Sequence, residues 1–453
     1  RADQRRVVFS GFGNADVHHM IHALRWAPWG ELYFNQSIYI NSFIETRWGK
    51  RRLNGSGVWR FRPETERLEI FARGAVNPWG HAIDRWGQSF ITDGAGGQGP
   101  HYTFPGAAFR SAVGAPKTLP GLVPGKPNGT GCEVLSGRHF PEEWAGSIVE
   151  NDFRANRTVR YKLTDNGSGF AAKEVETLIH SSRQTYRPVD IKVGPDGALY
   201  VVDWYNAIID HGEVDFHHPL RDKAHGRIWR LRAKDRPLVN RPHISGAPIG
   251  ALLDHLKAPE DYTRTQAKRE LATHSQNEVL PKLKSWLASL PADDPDREHH
   301  LLEALWLRGT MNAPDEELLR KVLKSTEARA RANAVRILFH WRNHIKNPHE
   351  LFRTAIDDEH PRVRLEAVNV LRELGSLESA NIALGALRQS RDKWLEYAIW
   401  LTARELRDDW LPALEAGETV FGGDTDQLRY ALEATGDSRA TESLVTLLQN
   451  GNI

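Results

Sequence analysis

The chain has 453 residues, of which 26% are charged and 9% aromatic, with a single cysteine. Its formal net charge is +2 and no run of Lys and Arg marks a nucleic-acid footprint, so nucleic acid is not an expected partner. No window approaches ~18 consecutive apolar residues, which leaves no membrane-spanning helix, and one cysteine permits neither an internal disulfide nor a cysteine-based zinc site.

The length predicts two domains. In chain order, the opening stretch ADQRRVVFSGFG reads as the last strand of an earlier blade, with upstream blades of a longer precursor missing. ALRWAPWGELYFNQS from Ala23, GHAIDRWGQSFITDGA from Gly80, PEEWAGSIVENDF from Pro141 and YRPVDIKVGPDGALYVVDWYN from Tyr186 then repeat one pattern. Each places a glycine in a turn, where positive φ costs nothing, then an apolar strand, then a polar exit residue. Further strand patterns follow the first, third and fourth copies: GVWRFRPETERLEIFARG, RTVRYKLTDNGSGFAAKEVETLI and GRIWRLRAK. About four short strands per unit predicts the blades of a β-propeller. The exit residues Asn35, Asp93, Asn151 and Asp203 would line one end of its channel, or merely cap the strands without any ligand. Cys132, in GTGCEVLSG, reads as a buried strand residue.

KDRPLVNRPHISGAP has no periodicity and separates the two compositions, so the predicted organisation is a propeller over 1–235, a linker over 236–247 and a helical region over 248–453. In that region Ala267, Ala304, Ala334, Ala367, Ala398 and Ala431 recur at intervals of 30 to 37 residues on similar apolar faces. This is the period of stacked helix pairs, and it resembles a HEAT or armadillo-like solenoid, whose concave surface suits a protein partner. The helix-face arginines Arg329, Arg331, Arg362 and Arg364 are expected to be solvated or salt-bridged.

The runs DVHHMIHALRWAPWGELYF, NPWGHAIDRWGQSFITDGAG, YRPVDIKVGPDGALYVVDWYN and HGRIWRLR, followed by the helical repeats, resemble the dehydrogenase-like proteins of Planctomycetes and Verrucomicrobia. More remotely, about the first 230 residues resemble the soluble glucose and sorbosone dehydrogenases, six-bladed quinoproteins using pyrroloquinoline quinone (PQQ) and calcium. The resemblance implies oxidation of a sugar or other alcohol in a periplasmic or secreted setting. His19 then falls at the catalytic base, a role an imidazole fills at neutral pH. His18, His19 and His22 read equally as loop-end histidines, or His18 and His22 as a metal pair.

By the same resemblance Arg154 and Arg187 fall at cofactor-binding positions. Asn77, Trp79, Trp204 and Tyr205 are substrate-binding candidates, the three aromatics as stacking surfaces. The sequence departs from the family at Val76 and Val189, which stand where the family has a substrate-contacting and a quinone-binding arginine. Asp93, in the Gly-rich loop TDGAGGQGPHY, is the calcium candidate, and His211, His217, His218 and His225 form a histidine-rich stretch without a standard metal spacing. A cytochrome is the implied electron acceptor, but the chain has no C-x-x-C-H and attaches no haem c itself. The alternative to a dehydrogenase is a non-catalytic propeller-plus-solenoid protein that binds a glycan or a protein.

Overall fold

The computed structural model describes residues 4–125, 128–210 and 213–436. Strands occupy the first half: β1 His22–Trp26, β2 Leu32–Gln36, β3 Asn41–Thr46, β4 Gly49–Asn54, β5 Gly57–Arg62, β6 Arg67–Arg73, β7 Pro78–Ile83, β8 Ser89–Asp93, β9 His101–Thr103, β10 Gly129–Val134, β11 Ile148–Asp152, β12 Arg157–Asn166, β13 Gly169–His180, β14 Pro188–Val193, β15 Leu199–Asp203 and β16 Arg227–Leu231. They form antiparallel sheets in the orders β1-β2-β5-β6, β7-β8-β9, β10-β11-β12-β13 and β14-β15-β16, with β3-β4 a separate hairpin.

The first strands of the four main sheets stand side by side, β1 beside β7, β7 beside β10 and β10 beside β14, and no comparable packing returns β14 to β1 among the described residues. The row is therefore open. Gly30, Gly87, Gly146 and Gly197 turn the chain toward the second strand of each sheet with φ of 92°, 72°, 76° and 79°, values that a side chain would strain.

Two sequence expectations need correction. The opening stretch is not a strand: from Gln4 to Ile21 no ladder forms. Instead Phe9 packs edge-on against Phe61 and Phe12 against Phe34 and Trp59, so its aromatics fill the first sheet's core. The third sheet starts earlier than its turn suggests, because β10 and β11 are separated by a long connection through Leu135–Ser147. Cys132 does lie buried in β10.

Strand gives way to helix between Leu231 and Ile249. The helices are α1 Ile249–Asp254, α2 Asp261–Leu271, α3 Gln276–Ala288, α4 Arg297–Thr310, α5 Glu316–Val322, α6 Ala328–Trp341, α7 Pro348–Ile356, α8 Pro361–Leu374, α9 Leu377–Ala383, α10 Lys393–Glu405, α11 Arg407–Glu415 and α12 Thr425–Thr435. Two compact units result. One holds the residues up to Thr164 with Phe170–Ala313, hence the sheets and α1 to α4; the other holds Asp165–Gly169 and the chain from Pro314.

The six periodic alanines fall on α2, α4, α6, α8, α10 and α12, every one fully buried. With no atoms beyond Cβ they let neighbouring helices approach closely. The arginines are mostly interior ties. Arg264, Arg331 and Arg364 each donate to the carbonyl six residues back, on Ala258, Ser325 and Asp358, at 2.5, 2.9 and 2.7 Å. Those loop carbonyls precede a helix and have no ladder partner, so a buried guanidinium satisfies them. Arg329, Arg331 and Arg362 are salt-bridged as expected, to Glu327, Asp358 and Asp165 at 2.7, 2.8 and 2.9 Å, whereas the buried Arg364 departs from that reading and donates to the carbonyls of Asp358, Glu359 and Ser390.

Candidate functional site: the near end of the sheets

The end at which β1, β7, β10 and β14 begin is also the end at which β2, β8, β11 and β15 finish, because each pair is antiparallel. The buried carboxylates there act first on backbone. Asp93 accepts the amides of Val76 and Asn77 at 2.8 Å and of Ala95 at 3.0 Å. Asp203 repeats the arrangement, accepting the amides of Arg187 at 2.8 Å and Tyr205 at 3.0 Å. Its second oxygen takes Arg227 Nε at 2.8 Å and Trp229 Nε1 at 3.0 Å. Each carboxylate thus clasps the loop leading into the first strand to the loop leaving the second, and charged acceptors make such bonds strong.

Arg187 is similarly committed. Its Nη1 donates to Phe153 O at 2.7 Å, Nε to Asn206 O at 3.1 Å and Nη2 to Ala207 O at 3.2 Å. Burial, and then the neighbouring Arg154 charge, make its protonation less favourable than usual. Arg154 follows β11 rather than leading into a first strand. Its exposed guanidinium lies 5.8 Å from the centre of the Phe153 ring.

His19 is buried, with Nδ1 3.1 Å from Asp16 Oδ2 and its ring edge-on to Tyr39 at 5.4 Å. Burial raises the pKa of Asp16, but the His18 amide and the two histidines outweigh it and hold the carboxyl below the usual range. The His19 carbonyl accepts from Ser37 N at 3.1 Å, and Ser37 Oγ donates to Asn77 Oδ1 at 2.6 Å. His22 has Nδ1 against Met20 O at 2.6 Å and Nε2 against Pro78 O at 2.8 Å, which occupies both ring nitrogens and removes the His18–His22 metal pair. Beyond it Trp79 lies 6.1 Å from His22 and 6.3 Å from Phe153. Tyr205 carries the Arg227 guanidinium 4.2 Å above its ring, and Trp204 and Tyr39 project outward at 44% and 65% exposure.

The near end therefore gathers His19, Asn77, Trp79, Asp93, Arg154, Arg187, Trp204 and Tyr205, but gives them different work. Asp93 and Arg187 are spent on amides and carbonyls, which leaves Arg154 as the exposed cation of the expected cofactor set. These residues do not fit a quinone gripped by two arginines beside a calcium bound to Asp93. Of the histidine-rich stretch, His225 Nδ1 meets Asp222 at 2.8 Å and His218 Nδ1 accepts from Leu220 N at 3.2 Å, whereas His211 lies outside the described residues. No group of three or more His, Cys, Asp or Glu side chains among the described residues is placed to hold a metal ion.

Sequence reasoning missed Asp16, Tyr39 and Phe153. The Asp16-to-His19 spacing of three was visible as a signal for the first; the aromatics follow strands whose ends only the fold brings together.

A family model described as a domain of unknown function (DUF7133) matches residues 1–122 and 123–235, and a model of HEAT repeats matches residues 316–402. No curated protein matches the sequence. Among solved structures, a glucose dehydrogenase is 14% identical with a TM-score of 0.31, covering 48% of this chain and 83% of that one. The PQQ-bound aldose sugar dehydrogenase of Streptomyces coelicolor is 13% identical with a TM-score of 0.29, covering 47% and 80%. A designed armadillo repeat protein in complex with a (KR)4 peptide is 17% identical with a TM-score of 0.23, covering 42% and 100%. Among the described residues no helix is long and apolar enough to cross a membrane.

Proposed function

Because the chain belongs to the DUF7133 family and its helical part matches HEAT repeats, we propose that it is a binding protein whose sheets are propeller blades and whose near end takes a neutral saccharide. The observation that carries this is the aromatic rim of Tyr39, Trp79, Phe153, Trp204 and Tyr205, all exposed or half-buried. Aromatic faces stack on the apolar face of a pyranose, and their polar edges find water or hydroxyls. Val76 and Val189 favour a neutral ligand, since the two cations that the resemblance led one to expect are absent there. The HEAT-repeat unit is assigned a docking role toward a protein partner.

Calorimetric titration of the chain with maltose, cellobiose and lactose tests the reading: at least one should bind, and Trp204→Ala should weaken it. No binding of any of the three at millimolar concentration would overturn it.

A second reading, a dehydrogenase of a sugar or other alcohol, is favoured by the Asp16–His19 contact. There His19 would take the hydroxyl proton, Asp16 would orient the ring and stabilise its charge, and the carbon-bound hydride would pass to a two-electron acceptor supplied from outside the chain. A cytochrome acceptor and a periplasmic or secreted location belong to this reading alone. Dye-linked oxidation of the same sugars with added PQQ and calcium tests it: turnover abolished by His19→Ala supports the reading, and no turnover by the intact chain removes it.

A further inference from the structure

We propose that the unit built from the sheets and α1 to α4 carries a second ligand site, at the far ends of β1, β7, β10 and β14, for an organic monocarboxylate with a planar apolar body. A cavity of about 520 Å3 lies there, within the size range of small-molecule sites. Its apolar wall comes from the strand ends at Leu24, Ile83, Val134 and Val193, and its other wall from α2 and α4.

Charge selects the ligand. Six basic and four acidic side chains line the cavity, and most of them are already matched. Arg25 grips Glu133 through two bonds of 2.9 and 2.7 Å, and Glu303 takes Arg264 Nε at 2.9 Å and the Lys268 ammonium. Arg269 is different: exposed at the rim, it faces the Trp26 ring at 5.7 Å and has no carboxylate partner among the described residues. One uncommitted guanidinium matches one negative charge, whereas a dianion would bring a second charge with no counterpart.

The aromatic lining selects the body of the ligand. Trp306 backs the cavity at 1% exposure, and its Nε1 is as closed to a ligand as to water, so the indole open to the cavity is that of the half-buried Trp26. A planar apolar body suits that ring and the aliphatic wall. A second cavity of about 490 Å3 shares Trp26, Lys268 and Arg269 with the first, so the Trp26–Arg269 pair stands where the two spaces meet.

Calorimetry on the full chain with 2-naphthoate, 2-naphthamide and sodium sulfate tests the site. The carboxylate should bind at least about tenfold more tightly than the amide, as a charge-assisted bond requires, and sulfate should not compete. Arg269→Ala, at an exposed position, should erase most of that preference without altering the melting temperature, and Trp26→Ala should weaken naphthoate binding by about tenfold. Trp79→Ala, at the near end, should leave it unchanged. Equal affinity for acid and amide, no binding at millimolar concentration, or full affinity in Arg269→Ala would each overturn the assignment.

Discussion

Asp203 Oδ1 accepts the backbone N–H of Arg187, sixteen residues earlier, at 2.8 Å, and Asp93 Oδ1 accepts that of Asn77 over the same separation and distance. The recurrence identifies Asp93 and Asp203, the exit residues of the second and fourth sheets, as clasps, whereas Asn35 donates to Gly80 O and Asn151 accepts from Thr158. Replacing Asp203 by Ala would strand two amides, the Trp229 indole N–H and Arg227 without their acceptor. The expected loss is about 3 kcal/mol or more, seen as a lowered denaturation midpoint. Asp190→Ala, whose carboxylate is half exposed beside Lys192, should shift that midpoint by less than about 1 kcal/mol.

Arg187 separates a structural role from a binding role. A lysine carries one ammonium and no planar fork, so Arg187→Lys cannot reproduce donation to carbonyls from both sides of the guanidinium. The melting temperature should fall while saccharide affinity stays within about twofold of the parent. A weakened saccharide affinity with unchanged melting would make Arg187 a ligand-contacting residue instead.

Much of the fold was legible because its signals are local. Asp196-Gly197 and the glycines at 30, 87 and 146 announce turns within a few residues, and the spaced alanines mark one helix of each pair. The third sheet was harder to read, since Leu135–Ser147 intervenes between its first two strands. The site was less legible for a different reason. Arg187 has the charge of a cofactor ligand, but whether its donors face a ligand or the carbonyls of Phe153, Asn206 and Ala207 depends on loops distant in sequence. The far-end cavity joins four strand ends to two helices across more than 200 residues, and no local motif records that meeting.

His81 sets a pH dependence. Burial, followed by the charges of Arg25 and Lys192, depresses its pKa to about 3, and its Nε2 lies 2.8 Å from Ser89 Oγ. Between that value and the unperturbed ~6.5, the unfolded chain binds a proton that the folded chain refuses. The contribution is therefore complete above about pH 6.5 and lost as pH falls toward 3. From pH 7 to pH 5 the parent should lose on the order of 2 kcal/mol more stability than His81→Gln. Parallel losses in urea titrations at the two pH values would refute this.

The aromatic rim is the central claim, and Trp79, between His22 and Phe153, is where it is most exposed to refutation. The decisive measurement is the dissociation constant of the best-bound neutral disaccharide for the parent chain and for Trp79→Ala, with the melting temperature followed alongside. Loss of the stacking face should weaken binding by about tenfold or more at nearly constant melting temperature. Unchanged affinity in Trp79→Ala, with the protein still folded, would contradict saccharide binding at the near end.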